Sequence, residues 1–335
     1  MCSNINTPLV SVIVCTYNQE KYIQEAMDSI LMQKTDFFFE IILSDDCSDD
    51  STSEICQRYA QLYPDTIRFY HNKENKGLIL NYYDSIKLAR GKYIADLAGD
   101  DVWIDKNKLA KQVEVLESDS SIVLCHAAWK KFNGNTVFEA DGFYMPKEKH
   151  IVDGNELTIS LLNHRKEEYF IHLCTSMYRK DVVLNLMDKY PELFFNKRLP
   201  CEDYQLIVLL STIGKIAAIP DCVLKYRVGH VSATSTENKR KEFLFVVSVI
   251  ELSIYLTQLL GIDLKLIRNY FLFDYQYAMM IAYNTKDSKL RDVLKSLHNK
   301  YLYIGLLLKS KIVMILTSNR LIWNVSHYFY KFLKN

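Results

Sequence analysis

The sequence lacks any C-x-x-C pair. Its eight cysteines, at positions 2, 15, 47, 56, 125, 174, 201 and 222, are scattered, and no histidine follows them at zinc-finger spacing. That argues against a structural zinc site and fits a reducing compartment. No local signature marks a nucleophilic thiol, and Cys15 and Cys125 lie in apolar runs, where a reduced cysteine acts as a small hydrophobe. Long apolar runs are missing too. A membrane-spanning helix needs about 18 apolar residues in succession. The nearest approach, residues 301–316, is interrupted by Lys309, Ser310 and Lys311, so no spanning helix is expected. The opening MCSNINTPLVSVIV has no basic start followed by an apolar stretch and a small-residue cleavage site; no signal peptide is expected, and the protein should begin in the cytoplasm. Absent as well are G-x-G-x-x-G and G-x-x-x-x-G-K-[ST], the usual loops that cradle phosphate.

What is present is an ordinary globular composition. Of 335 residues 49% are hydrophobic, enough for one large core or two smaller domains, and the net charge is +1. The charge is unevenly placed: residues 289–335 hold nine Lys and Arg against one acid, Asp292. A basic tail on an acidic body implies an anionic partner for the tail.

Along the chain, LVSVIVC (9–15) reads as a strand, and the residues from Gln19 to Gln33 place Tyr22, Ile23, Ala26, Ile30 and Leu31 at helical spacing. FFFEIILS (37–44) is a second strand, followed by the acidic loop DDCSDD. Ser51 and Glu54 then stand in the S-x-x-E arrangement that can cap a helix over 52–63. TIRFYH (66–71), GLILNYYDSIKLA (77–89) and KYIADL (92–97) continue as strand, helix and strand. Such alternation predicts an α/β fold whose mainly parallel sheet is flanked by helices. SIVLCHAAWKKF, HLCTSMYR (172–179) and IAAIPDCVLKYRV (216–228) are further strand-like runs; 133–170 reads as loops with one short helix, and DYQLIVLLSTIG (203–214) as an amphipathic segment. From about 237 long helical patterns begin, with apolar stripes such as Phe243, Val246, Val247 and Ile250. The expected boundary lies near 235, between a first domain over 8–235 and a helical region over 236–335.

In a parallel sheet, ligands bind beyond the carboxyl ends of the strands. Those ends carry TYN, DDCSDD, HNKENKG and AGDDVW, and two of the four loops hold paired carboxylates. Adjacent like charges such as Asp100 and Asp101 repel and are costly to desolvate, so they need water or a cation. Taken alone, each pair is a solvated turn; together on one rim they suggest a site. A nucleotide bound there would draw positive charge from a divalent metal on Asp100 or Asp101.

VSVIVCTYNQEKYIQEAMDSILMQ, IILSDDCSDDST, ENKGLILNYYDSIKLARGKYIADLAGDD and CEDYQL resemble, in order over roughly residues 8–230, the family 2 glycosyltransferases. The resemblance implies a GT-A nucleotide-sugar-binding domain. It implies that Tyr17 lies against the nucleobase, bordered by the backbone of Thr16 and Asn18, and that Asp46 accepts from the base. An aromatic face suits a planar base, and a carboxylate accepts well from an imide N–H; ordinary packing is the competing role for Tyr17. GDD stands where the family has its D-x-D metal motif, so Asp101 would hold Mg²⁺ or Mn²⁺ with Asp100 near the ribose or the metal. One departure is Ala98, where the first acid of that motif is common. Trp103, just after the metal motif, either lines the sugar or acceptor pocket or is a core residue.

The implied reaction is inverting displacement at an anomeric carbon by an acceptor hydroxyl. A carboxylate must take the hydroxyl proton, and CEDYQL offers Asp203 as that base, with Glu202 as its neighbour or an acceptor contact. The same two acids also suit a helix N-terminus, whose dipole would keep them ionised. In YRVGHVSATS, Arg227 and His230 are the cationic candidates for the diphosphate, though Gly229 displaces His230 by one place from the family's Y-R-x-H. Asp46 points to a UDP-sugar donor, with thymine presenting the same edge. The expected acceptor is a glycan or lipid-linked glycan of a surface polysaccharide.

The C-terminal residues carry Trp323, Tyr328, Phe329, Tyr330 and Phe332 among lysines. That composition suits peripheral contact with the inner face of the cytoplasmic membrane, and equally a helical cap or homodimer surface. No nucleic-acid partner is expected. Two other functions remain: a nucleotidyltransferase, for which TYNQEK is a poor match to a Gly-rich basic loop, and a degenerate nucleotide-sugar or glycan-binding protein, which Ala98 favours and Asp101 and Asp203 oppose.

Overall fold

The computed structural model describes residues 7–163, 168–229, 238–285 and 287–300. Strand β1 (Val10–Thr16) is followed by helix α1 (Ile23–Leu31), β2 (Phe39–Asp45) by α2 (Thr52–Leu62), and β3 (Ile67–His71) by α3 (Leu78–Leu88), after which comes β4 (Tyr93–Asp96). β1 pairs in parallel with both β2 and β4, and β2 with β3. β1, β2 and β4 are buried along nearly their whole length, as in a parallel sheet covered by helices, whereas β3 at the edge is only partly buried. Val10, Val12 and Val14 of β1 are buried with Ile23, Ala26, Met27 and Ile30 of α1 in one core cluster. Burying each of the larger of these side chains contributes about 1.5–3 kcal/mol.

The second half of the sheet is built differently. A two-residue strand β5 (Val102–Trp103) precedes α4 (Lys108–Ser118), β6 (Ile122–Asn133), β7 (Thr136–Phe138), β8 (His150–Asp153) and α5 (Gly154–Leu162). Then come β9 (Met177–Arg179), α6 (Lys180–Lys189), α7 (Pro191–Phe194), α8 (Asp203–Ser211) and β10 (Lys215–Arg227). The sheet order is β3-β2-β1-β4-β9-β6-β10-β5, with β7 on β6 and β8 on β10. β9 runs antiparallel to β4 and to β6, whereas β6 and β10 are parallel. The sheet is thus mixed, its parallel half carrying the loops singled out in the sequence.

Several sequence expectations change. The run 172–179 is strand only over its last three residues. The His172 carbonyl accepts from the Thr175 amide at 2.9 Å and hydroxyl at 2.7 Å and from the Ser176 hydroxyl at 3.1 Å, bending 173–175 into a 3₁₀ turn. Helix α8 is not amphipathic: every residue from Tyr204 to Ser211 is buried. The capping expected of Ser51 is also supplied otherwise, since Ser51 makes no side-chain cap and Asp50 accepts from the Thr52 amide at 2.9 Å.

The chain divides between residues 230 and 231 into two compact units. In the second, α9 (Lys239–Leu259), α10 (Arg268–Thr285) and α11 (Ser288–Lys300) follow one another. Asn238 caps α9, accepting from the amides of Arg240 and Lys241. Phe243, Val247 and Ile250 are buried, Tyr277 of α10 donates to Glu242, and Tyr275 donates to the Leu294 carbonyl at 3.2 Å. α9 is long and apolar enough to cross a bilayer by length and composition, with half of its most apolar window buried within the protein. The aromatic basic stretch singled out in the sequence, 323–332, lies outside the described residues.

Candidate active site

The loops after β1 and β2 are sewn together edge to edge. Asn18 adopts φ 52°, and its amide donates to the Ser48 hydroxyl at 2.9 Å while its side-chain oxygen accepts from the Asp49 amide at 2.9 Å. The Gln19 amide donates to the Thr52 hydroxyl at 2.7 Å, the Glu20 amide to Asp50 at 3.2 Å, and the Ser51 amide to Glu20 at 3.1 Å. Asn18 therefore shapes the loop. Thr16 is buried, its hydroxyl donating to Gln19 at 2.8 Å. Tyr17, between them, is 44% exposed and so does not pack into the core.

The carboxylates of DDCSDD have separate tasks. Asp45 is buried and accepts from the Ser48 hydroxyl and pairs with His71 at 2.8 Å. Asp50 caps α2. Asp46 lies beside the Tyr17 loop, its amide donating to the Thr16 carbonyl at 2.9 Å. One of its oxygens accepts from Asn72 at 2.9 Å and the Lys76 amide at 2.8 Å, the other from the Gly77 amide at 2.8 Å. A carboxylate offers about four acceptor positions, so a fixed Asp46 keeps room for one more donor.

The acidic loop after β4 is pressed against the same rim. A Cβ at Gly99 would meet Gln19 and Thr16, which is why glycine stands there. Asp101 is 1% exposed. Its Oδ1 accepts from the Arg227 amide at 2.9 Å, its Oδ2 has no hydrogen-bond partner, and the Cys174 thiol borders the carboxylate. Burial, and then the neighbouring Asp100, hold the Asp101 carboxyl well above the usual carboxylate range. A buried carboxylate oxygen without a donor fits a hard divalent cation. Among the described residues no three His, Cys, Asp or Glu side chains gather around an ion, so a metal here would draw its remaining ligands from a substrate phosphate and water, as Mg²⁺ commonly does. Trp103 belongs to the core: it is 1% exposed and its indole donates to the Cys174 carbonyl at 2.9 Å.

Glu202 and Asp203 start the buried helix α8. Tyr83 of α3 donates to the Glu202 carbonyl. Burial, then the charges of Asp203 and Asp96, push the Glu202 carboxyl up to about 8. The helix dipole therefore does not keep Glu202 ionised, because desolvation and like charges outweigh it. Asp96 escaped the sequence reading. It is buried at the end of β4, accepts from Tyr82 at 2.7 Å and Tyr178 at 3.3 Å, and burial raises it to about 7. The signal was there: a lone acid inside the apolar strand YIADL must find a partner.

Arg227 ends β10. Its Nε donates to the Asp100 carbonyl at 2.8 Å, its Nη2 pairs with Glu25 at 2.5 Å, and its guanidinium lies 4.5 and 4.3 Å from the ring centres of Tyr22 and Phe132. His230 lies outside the described residues.

An exposed aromatic, a fixed acceptor and a half-paired buried acid thus lie together on the loops at the carboxyl ends of the parallel strands of an α/β domain. Comparison with known proteins makes the assignment narrower. Residues 11–186 match the model of glycosyl transferase family 2, and the chain belongs to that family. An uncharacterised Mycobacterium tuberculosis protein is 32% identical over 223 residues, 65% of this chain, and the match spans 58% of that relative's length. The Bacillus subtilis putative teichuronic acid biosynthesis glycosyltransferase TuaG is 34% identical over 143 residues, 43% of this chain and 53% of its own. Two solved GT-A enzymes share the fold. Staphylococcus aureus TarS in complex with UDP-GlcNAc has a TM-score of 0.57 at 20% identity, covering 83% of this chain and 75% of that one. The Pyrobaculum calidifontis mannosyltransferase PcManGT, in complex with GDP-Man and Mn²⁺, has a TM-score of 0.53 at 16% identity, covering 97% and 88%.

Proposed function

We propose that this protein is a metal-dependent, inverting glycosyltransferase that moves a sugar from a nucleoside-diphosphate sugar, by preference a UDP-sugar, to a hydroxyl of a glycan or lipid-linked glycan. The observation that carries the reading is the buried Asp101, half-paired, on the rim that also bears Tyr17 and Asp46. Tyr17 offers its ring to the base, and Asp46 accepts the imide N–H of uracil at its remaining lone pair. Asp101, with Asp100, holds the Mg²⁺ or Mn²⁺, which when bound supplies positive charge to the departing diphosphate.

The acidic pair at the start of α8 supplies the base, a role assigned to Asp203, with Glu202, whose carboxyl is raised by its surroundings, as its neighbour. The acceptor oxygen bonds to the anomeric carbon as the carbon–phosphate oxygen bond breaks, and Asp203 takes the hydroxyl proton. One displacement with one base inverts the configuration. The match to TuaG, and the family membership, support surface-polysaccharide assembly as the setting. The basic composition of 289–335 supports work at the inner face of the cytoplasmic membrane.

The test is turnover of UDP-sugars by the wild type, Asp101→Ala and Asp203→Ala. Loss of turnover in both, with donor binding kept in Asp203→Ala, supports the reading; turnover indifferent to both substitutions contradicts the site.

A further inference from the structure

The side chain of Arg227 is only 10% exposed, and its guanidinium is engaged through Nε, Nη2 and two aromatic rings. Nε reaches the Asp100 carbonyl, Nη2 reaches Glu25 of α1, and the planar cation lies against Tyr22 at the start of α1 and Phe132 of β6. The amide of the same residue donates to Asp101 Oδ1, leaving Oδ2 as the oxygen without a partner. One residue thus fastens the acidic loop at two points, to itself and through itself to α1 and β6.

We propose that Arg227 is the positioning residue of the metal-binding carboxylates, a clamp that fixes the backbone of Asp100 and the carboxylate of Asp101, and not a ligand of the donor diphosphate. The proposal rests on the metal reading above. Three physical features carry it. A guanidinium is a rigid planar fork, so bonding through Nε and Nη2 while stacked on rings fixes its direction in a way an ammonium cannot. Glu25 balances its charge, so the clamp adds no net positive charge beside the cation position. And a cation bonded through Nε, paired through Nη2 and held against two rings has little freedom to turn toward a phosphate.

The test is Mn²⁺ binding to the full chain, read from the paramagnetic resonance of free Mn²⁺ with UDP present, together with amide hydrogen exchange over residues 97–103. Arg227→Gln is expected to weaken Mn²⁺ binding by about tenfold or more and to speed exchange over 97–103, leaving UDP affinity measured without metal unchanged. Arg227→Lys should resemble Arg227→Gln, because charge alone does not make the clamp. Glu25→Gln, which loosens only its outer end, should have a smaller effect of the same sign. Wild-type Mn²⁺ affinity in Arg227→Lys would overturn the proposal. So would a fall in metal-free UDP affinity matching the fall with metal, the mark of a direct diphosphate ligand. If the wild type binds no Mn²⁺ with UDP, dTDP or GDP, the metal reading fails, and unchanged exchange over 97–103 in Arg227→Gln then overturns the clamp separately.

Discussion

The hydroxyl of Tyr83 donates to the backbone carbonyl of Glu202, tying α3 to the first turn of the helix that presents the acidic pair. The Tyr83 ring is independently held, with centroids 4.8 Å from Phe194 and 5.0 Å from Tyr82. Tyr83→Phe therefore removes the hydrogen bond and keeps the packing. A net loss of about 1 kcal/mol of stability is expected. A fall of roughly tenfold in kcat is expected with it, since small displacements of a catalytic group are costly, while donor affinity stays put. Steady-state kinetics beside a thermal melt checks both.

Glu202 and Asp203 respond differently to amide substitution. Burial favours the protonated, glutamine-like form of Glu202, so Glu202→Gln should retain activity within about tenfold at pH 7, whereas Asp203→Asn removes the proposed base and should cost about 10²–10⁴-fold. The stability profile gives a second check. A carboxyl raised from 4.5 to about 8 in the folded state binds a proton that the unfolded chain releases. Its contribution is fully present below pH 4.5 and is lost as pH rises through about 8. Melts of Glu202→Gln across pH 5–9 should lack that part of the decline.

Glu40 has the opposite sign. It is fully buried on β2, accepts from Ser11 at 2.7 Å and from the Arg90 amide at 2.7 Å, and pairs with Arg90 and Arg68. Burial alone would raise its carboxyl, but these bonds outweigh burial and leave it below its ordinary 4.5. Its stabilisation is present above pH 4.5 and is lost as pH falls through the lower folded value. Glu40→Gln should lose about 1–3 kcal/mol at neutral pH and flatten the acid limb, measured by denaturant unfolding at several pH values.

Much of the parallel half was legible in the sequence, because β1 to β4 and the helices between them are local, strongly patterned and bounded by polar loops. The rim loops were legible for the same reason. What sequence could not divide was labour inside a motif. Asp45, Asp46 and Asp50 look alike in DDCSDD, and only the third dimension sends Asp45 to His71, Asp46 to Gly77 and Asp50 to the start of α2. Arg227 looked like a free cation because its partners, Glu25, Tyr22 and Phe132, are distant in sequence. α8 looked amphipathic since burial on all sides comes from neighbours the period cannot reveal.

The central claim, a metal-dependent nucleotide site on this rim, is tested most directly by calorimetric titration of UDP, dTDP and GDP into the wild type and Asp101→Asn, with and without Mn²⁺. The account predicts that the wild type binds one of the three, UDP first, more tightly when Mn²⁺ is present, and that Asp101→Asn abolishes the metal's effect. Equal binding with and without metal, or none by a demonstrably folded protein, would contradict it.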